Sequence, residues 1–176
     1  MALSAAGMLA LLNTSARAAG TAAKGGNATQ DAQLLNAALS LEDEGIAAYQ
    51  IGAESKFLTP AVLKVAVTFQ GHHKQHREDL LAAIARLGGT PVKPKSQQDY
   101  AKELGTASLK DQSGVLRLAL KLERGATNAY LGLIPSFDQS DLYVLAARTA
   151  ADESFHAAVL GQVLGEAIPQ KAPMFG

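Results

Sequence analysis

Glu42 and Glu123 each sit in the pattern Leu-Glu-x5-Ala-Tyr: Leu41-Glu42 leads to Ala48-Tyr49, and Leu122-Glu123 leads to Ala129-Tyr130. Each is followed by a pair spaced i,i+3 and ending in histidine. The first copy has His73-x-x-His76 with Leu80 four residues on, and the second has Glu153-x-x-His156 with Leu160. Carboxylate oxygens and imidazole nitrogens are donors for first-row transition metals. Six of them at helical spacing, Glu42, His73, His76, Glu123, Glu153 and His156, are what a metal site inside a helix bundle requires. The chain has no Cys, so any metal must be held by nitrogen and oxygen, which suits iron, manganese or zinc.

Four long amphipathic segments have to position these side chains. The first is expected from Thr29 or Asp31 to Ser55, with Leu35, Ala38, Glu42, Gly45, Tyr49 and Gly52 on one stripe. The second starts at Thr59 with Pro60 in the first helical position and stops at Gly88-Gly89. Its inward stripe is Ala66, Phe69, His73, His76, Leu80, Ala83 and Leu87. The third, Gln112 to Ile134, presents Leu116, Ala119, Glu123, Ala126, Tyr130 and Leu133. The fourth, capped by Ser140 and running to about Glu166, presents Ala146, Thr149, Glu153, His156, Leu160 and Val163. All six candidate ligands therefore fall on core stripes, where unpaired charge is expensive.

In an antiparallel hairpin, residues equidistant from the turn share a height. Glu42 and His73 straddle Phe57/Leu58, and Glu123 and Glu153 straddle Asp138, both inside expected turns. The offset from each turn is roughly 15 residues, or about 23 Å at 1.5 Å per residue. Thr90 to Asp111, with Pro91, Pro94 and a short helical candidate at Gln98–Leu104, is long enough to run the length of the bundle. The expected fold is all-α, an antiparallel four-helix bundle of two hairpins joined by one long crossover.

With these motifs the chain resembles the ferritin-like superfamily over about Asp31 to Ile168. That family takes a Glu from each of two helices and Glu-x-x-His from each of two others to hold two metal ions. The resemblance implies Glu42 and Glu123 as the single carboxylates, Glu153 and His156 as a full motif, and His76 in the other histidine position. His73 departs from it, standing where the family has a bridging Glu. Three carboxylates supply −3 against the +4 of two Fe²⁺, so a hydroxide, an exogenous carboxylate or a single-ion site would balance the charge.

Neighbouring residues have plainer expectations. Glu44, Glu54, Glu78 and Glu166 are expected to face solvent. His72, one position off the stripe, belongs at the bundle edge or serves as an extra ligand. Gln70 is a candidate supporting residue for the site. Tyr49 and Tyr130 are core aromatics whose phenols need partners and reach toward the carboxylates.

The bulk numbers exclude several alternatives. A chain of 176 residues with 48% hydrophobic content fits one domain, here taken as residues 27–168 with a tail at 169–176. Its 16 basic and 16 acidic residues form no basic block, so neither nucleic acid nor a membrane surface is an expected partner. Aromatic content of 5% without Trp argues against stacking platforms. His72-His73-x-x-His76 lacks the Glu of the metalloprotease motif. Heme ligation through a single histidine stays open. Residues 1–26 read as an export signal or disordered leader: Ala2–Leu12 is apolar and Ala16-Arg17-Ala18 supplies small residues, although a charged start is missing. The run is too short for a membrane span, and the expected location is the periplasm or cell envelope.

Two functional readings remain. One is an iron- or manganese-binding protein, either one that oxidises Fe(II) or consumes peroxide or one that binds and handles the metal without turnover, with metal ions and O₂ or peroxide as partners and a homo-oligomer compatible with the sequence. The other is a non-catalytic bundle in a structural or partner-binding role, with a metal-free core network in which His73, His76 and His156 pair with the three Glu.

Overall fold

The structure is a computed structural model that describes residues 27–176; the leader assigned to residues 1–26 lies outside the described residues. Helix α1 spans Ala28–Glu54 and is capped by Asn27, whose side chain accepts from the Gln30 amide. Helix α2 spans Pro60–Arg86, with Thr59 at the cap position and Pro60 where a missing N–H costs nothing. It ends where Gly88 takes φ +71°, a conformation that disfavours side chains. The Gly89 amide then closes onto Ile84 O at 2.9 Å.

The crossover contains a short helix α3, Gln97–Glu103, capped by Ser96, and a 3₁₀ turn at Thr106–Ser108. Helix α4 spans Gln112–Leu133 with Asp111 capping the Gly114 amide, and helix α5 spans Ser140–Val163. Among the described residues there is no strand. None of these helices is long and apolar enough to cross a membrane. The all-α bundle of two hairpins and a long crossover is thus the observed architecture.

The start of α5 differs from expectation. Ser140 is the first helical residue, and Gln139 at the cap makes no side-chain bond. The two amides just ahead of the helix are held from the other hairpin: Asp31, fully buried, accepts from Asp138 N at 2.9 Å and Gln139 N at 3.1 Å. This carboxylate ties the beginning of α1 to the α4–α5 turn. Val163, placed on the inward stripe by periodicity, is 46% exposed at the last residue of α5.

Helices α1 and α2 pack closely along their length, as do α4 and α5; α1 also meets α4, while α2 and α5 stand wider apart. The core divides into two apolar clusters. One gathers Leu35 and Leu39 of α1, Leu80 and Ile84 of α2, Tyr130 and Leu133 of α4, and Leu142 and Ala146 of α5. The other gathers Tyr49, Phe69, Leu116, Leu120, Ala157 and Leu160 from the same four helices. Between them lies a layer that contains Glu42, His73, His76, Glu123, Glu153 and His156.

Candidate metal centre

The core stripes deliver every expected ligand to the interior. Glu42, Glu123, Glu153 and His156 are at most 1% exposed, and His73 and His76 are also buried. The two hairpins meet at one level, as the midpoint argument requires. His73 Nδ1 lies 2.7 Å from Glu42 Oε2, and its Nε2 lies 3.3 Å from Glu123 Oε1. His76 Nδ1 is 3.0 Å from Glu153 Oε1, and His156 Nδ1 is 3.2 Å from Glu153 Oε2.

Two overlapping sets of four result. Glu42, His73, His76 and Glu153 form one, and His73, Glu123, Glu153 and His156 the other, each offering donor atoms within 4.8 Å of one another. His73 and Glu153, the inner residues of the duplicated motif, are common to both.

The phenols complete the layer across the hairpins. Tyr49 donates to Glu123 and Tyr130 donates to Glu42, so the tyrosine of each repeat holds the carboxylate of the other. Buried beside carboxylates, both phenols are pushed well above their ordinary pKa, first by desolvation and then by those charges. They remain neutral donors.

Without a metal, the imidazoles carry the compensating charge. Burial is the largest influence on Glu42 and pushes its pKa up, but hydrogen bonds from His73 and His76 together outweigh it and hold the carboxyl at about 2. His76 is the converse: burial pushes it down, and Glu153 and Glu42 outweigh that to raise it to about 10. His73 and His156 are raised against burial by their carboxylate neighbours in the same way. Glu123 is held well below the carboxylate range despite burial, whereas burial and the proximity of Glu123 raise Glu153. The interior is therefore a set of carboxylates balanced by imidazolium.

One neighbour was missed by the sequence reading: Asp152 Oδ2 lies 3.1 Å from His76 Nε2. His72 is exposed at the bundle edge as expected, and its Nδ1 lies 2.9 Å from His156 Nε2. The residue preceding each motif thus holds the outward nitrogen of the other repeat's histidine. The signal was present, since His72-His73 aligns with Asp152-Glu153 in the duplication. Gly45 was placed on the stripe, but its role was not foreseen: a Cβ there would stand 3.1 Å from the His73 ring. Gln70 does not reach the cluster; its amide donates to Ile46 O and Gln50 Oε1, stitching α2 to α1. Glu54 and Glu78 face solvent as expected, while Glu44 and Glu166 are half-buried.

A sequence profile of the family described as Ferritin-like domain matches residues 30–166. The chain belongs to the ferritin-like domain family. The fold agrees with that membership. A crystal structure of a conserved hypothetical protein, rv2844, from Mycobacterium tuberculosis superposes with a TM-score of 0.64 at 23% identity, covering 83% of this chain and 97% of that one. No curated protein matches the chain.

The residues present fit the metal that such a fold implies. The donors are hard carboxylate oxygen and borderline imidazole nitrogen, a combination suited to iron, manganese or zinc. Glu123 Oε2 is buried without a hydrogen bond, with His156 Nδ1 at 3.4 Å. A buried carboxylate oxygen left unpaired among other donors is compatible with a cation as its partner.

Proposed function

We propose that this protein binds one or two first-row metal ions, iron or manganese foremost, through Glu42, His73, His76, Glu123, Glu153 and His156. On this reading it oxidises Fe(II) as substrate, or consumes peroxide, in the cell envelope. The observation that carries the reading is the convergence of three carboxylates and three imidazoles from four helices at one level between two apolar clusters of the core.

Bound there, the ion would supply one-electron redox chemistry or Lewis acidity. The chain does the rest. Glu42, Glu123 and Glu153 neutralise positive charge, and Tyr49 and Tyr130 fix two of those carboxylates by donating to them. Asp152 and His72 orient the imidazoles of His76 and His156. The apolar clusters above and below limit water.

A metal-free polar network is the second reading, favoured by the short His73–Glu42 contact of 2.7 Å and by the near-complete pairing of the layer. One experiment separates the two. Metal analysis of protein purified from its native compartment is run beside His73→Ala and Glu123→Ala. The metalloprotein reading expects one to two ions per wild-type chain and loss of most of them in both variants. Equal content in all three, or none in wild type at any supplied iron or manganese level, rejects it in favour of the network.

A further inference from the structure

The two outward-facing imidazole nitrogens are held differently. Asp152, a carboxylate, holds His76 Nε2, which is the usual way a protein fixes a metal-binding histidine. At the matching position on the other hairpin stands His72, whose ring holds His156 Nε2 at 2.9 Å. An imidazole here can do what a mere orienting group need not: bind a transition metal itself.

The surroundings give that ability a use. His156 is fully buried, with Phe69 stacked on its ring at 4.0 Å, while His72 is exposed beside it with its ring inclined 19° to that of His156. Apolar clusters close the centre toward both ends of the bundle, and the packing of α1 on α2, of α4 on α5 and of α1 against α4 closes three of its four sides. The wider α2–α5 seam is left, and across it run the His72–His156 and Asp152–His76 bridges. A line of nitrogen donors therefore leads inward, from His72 Nδ1 through His156 to Glu153 Oε2, 3.2 Å from His156 Nδ1.

We propose that His72 is a receiving ligand at the α2–α5 seam, which captures a divalent first-row metal ion from solvent and passes it to His156. The inference rests on the metal-binding reading and adds a route to it. The side chain of Asp152, 61% exposed on the same seam, adds negative charge at the mouth.

The test uses the full chain stripped of metal and mixed with Co(II), whose ligand-field absorption reports coordination without any turnover. Uptake is followed by stopped flow, release by adding a strong chelator, and affinity by equilibrium competition, for wild type, His72→Ala and His72→Gln. Gln can keep a hydrogen bond to His156 but is a poor transition-metal ligand. His72→Gln, which keeps a bond to His156, should take up and release Co(II) about tenfold more slowly, equivalent to ~1.4 kcal/mol of barrier, with affinity unchanged, since a route alters rates and not the end states; His72→Ala should take up Co(II) as slowly and also lose the affinity that orienting His156 provides. Unchanged or faster uptake in His72→Ala overturns the proposal. So do wild-type rates of uptake and release in His72→Gln, which would make His72 only a positioning residue. Absence of a Co(II) spectrum in wild type would instead bring down the metal-binding reading itself.

Discussion

Metal binding at this centre should be coupled to proton release, and the size of the coupling follows from the layer. A histidine must be neutral to coordinate. In the metal-free protein His76 has its pKa raised to about 10 by Glu153 and Glu42 against the cost of burial, and His73 is raised well above its ordinary value by Glu123 and Glu42. At neutral pH both are imidazolium. Deprotonating His76 alone at pH 7 spans roughly three pH units, about 4 kcal/mol at 1.36 kcal/mol per unit. The ion must supply that energy. Each proton displaced makes apparent affinity rise about tenfold per pH unit, so His76 alone gives about tenfold between pH 7 and 8, and the raised His73 steepens the slope further. The His76 share of the rise should level off once pH passes its value of about 10. Chelator competition with Mn(II) or Co(II) across this range gives the slope. Calorimetry in two buffers of different ionisation enthalpy counts the protons directly. A flat affinity profile with no proton release would refute the reasoning, because it would mean that the buried imidazoles are not displaced from their carboxylates when the metal binds.

The same shifts govern folding of the metal-free chain. His76, with a raised pKa, contributes stability that is full below its unfolded value of 6.5 and is lost as pH rises through about 10. Glu42, with a depressed pKa, contributes stability present above 4.5 and lost as pH falls through about 2, so the melting temperature should peak between those unfolded values and decline on both sides. Tyr130→Phe removes the buried donor to Glu42 and should cost about 2 kcal/mol, or about 6 °C in a chain of this size; Tyr49→Phe should match it, and thermal melts of the metal-free proteins check both. Gly45→Ala should gain about 0.5–1 kcal/mol of helix propensity but lose about 1–3 kcal/mol to overpacking, because Glu42 and Glu123 hold the His73 ring 3.1 Å from the new methyl. A lower melting temperature together with reduced metal content is expected, and a stabilised variant with full metal would contradict it. Asp31→Ala should cost about 3 kcal/mol in chemical denaturation by stranding the amides of Asp138 and Gln139, with metal content unchanged; a loss under about 1 kcal/mol would mean that water replaces the carboxylate.

The duplication made much of this legible in the sequence. Hydrophobic period, the Thr59-Pro60 start and the Gly88-Gly89 stop place the first hairpin's boundaries within a residue or two, because these are local backbone effects. Equal distances from the turns are enough to bring Glu42 level with His73 and Glu123 level with Glu153. What was not legible depends on which way a side chain off the stripe leans, and on contacts between hairpins. Asp31 is a charged residue near a helix start, where exposure is the ordinary outcome; its burial depends on the α4–α5 turn more than 100 residues away. Gln70 has the right spacing from His73 but turns toward Gln50. His72 and Asp152 sit one position off the stripe, and only the wider α2–α5 seam lets them reach across.

The departure of His73 from the pattern of its repeat is matched by a second one. Residue three after Glu42 is Gly45, whereas residue three after Glu123 is Ala126. The space that a Cβ at Gly45 would take lies against the His73 ring, so the glycine and the imidazole are complementary, and the loss of helix propensity at mid-helix has a steric reason. His73 is therefore built into the core. Its two nitrogens face Glu42 and Glu123, one from each hairpin, which a carboxylate in the same place could meet only with charge repulsion unless cations were bound. The imidazole thus lets the layer fold before any ion arrives. Restoring the carboxylate with His73→Glu should make folding depend on metal more strongly than in wild type, and adding Gly45→Ala should then fill the space that the ring vacates.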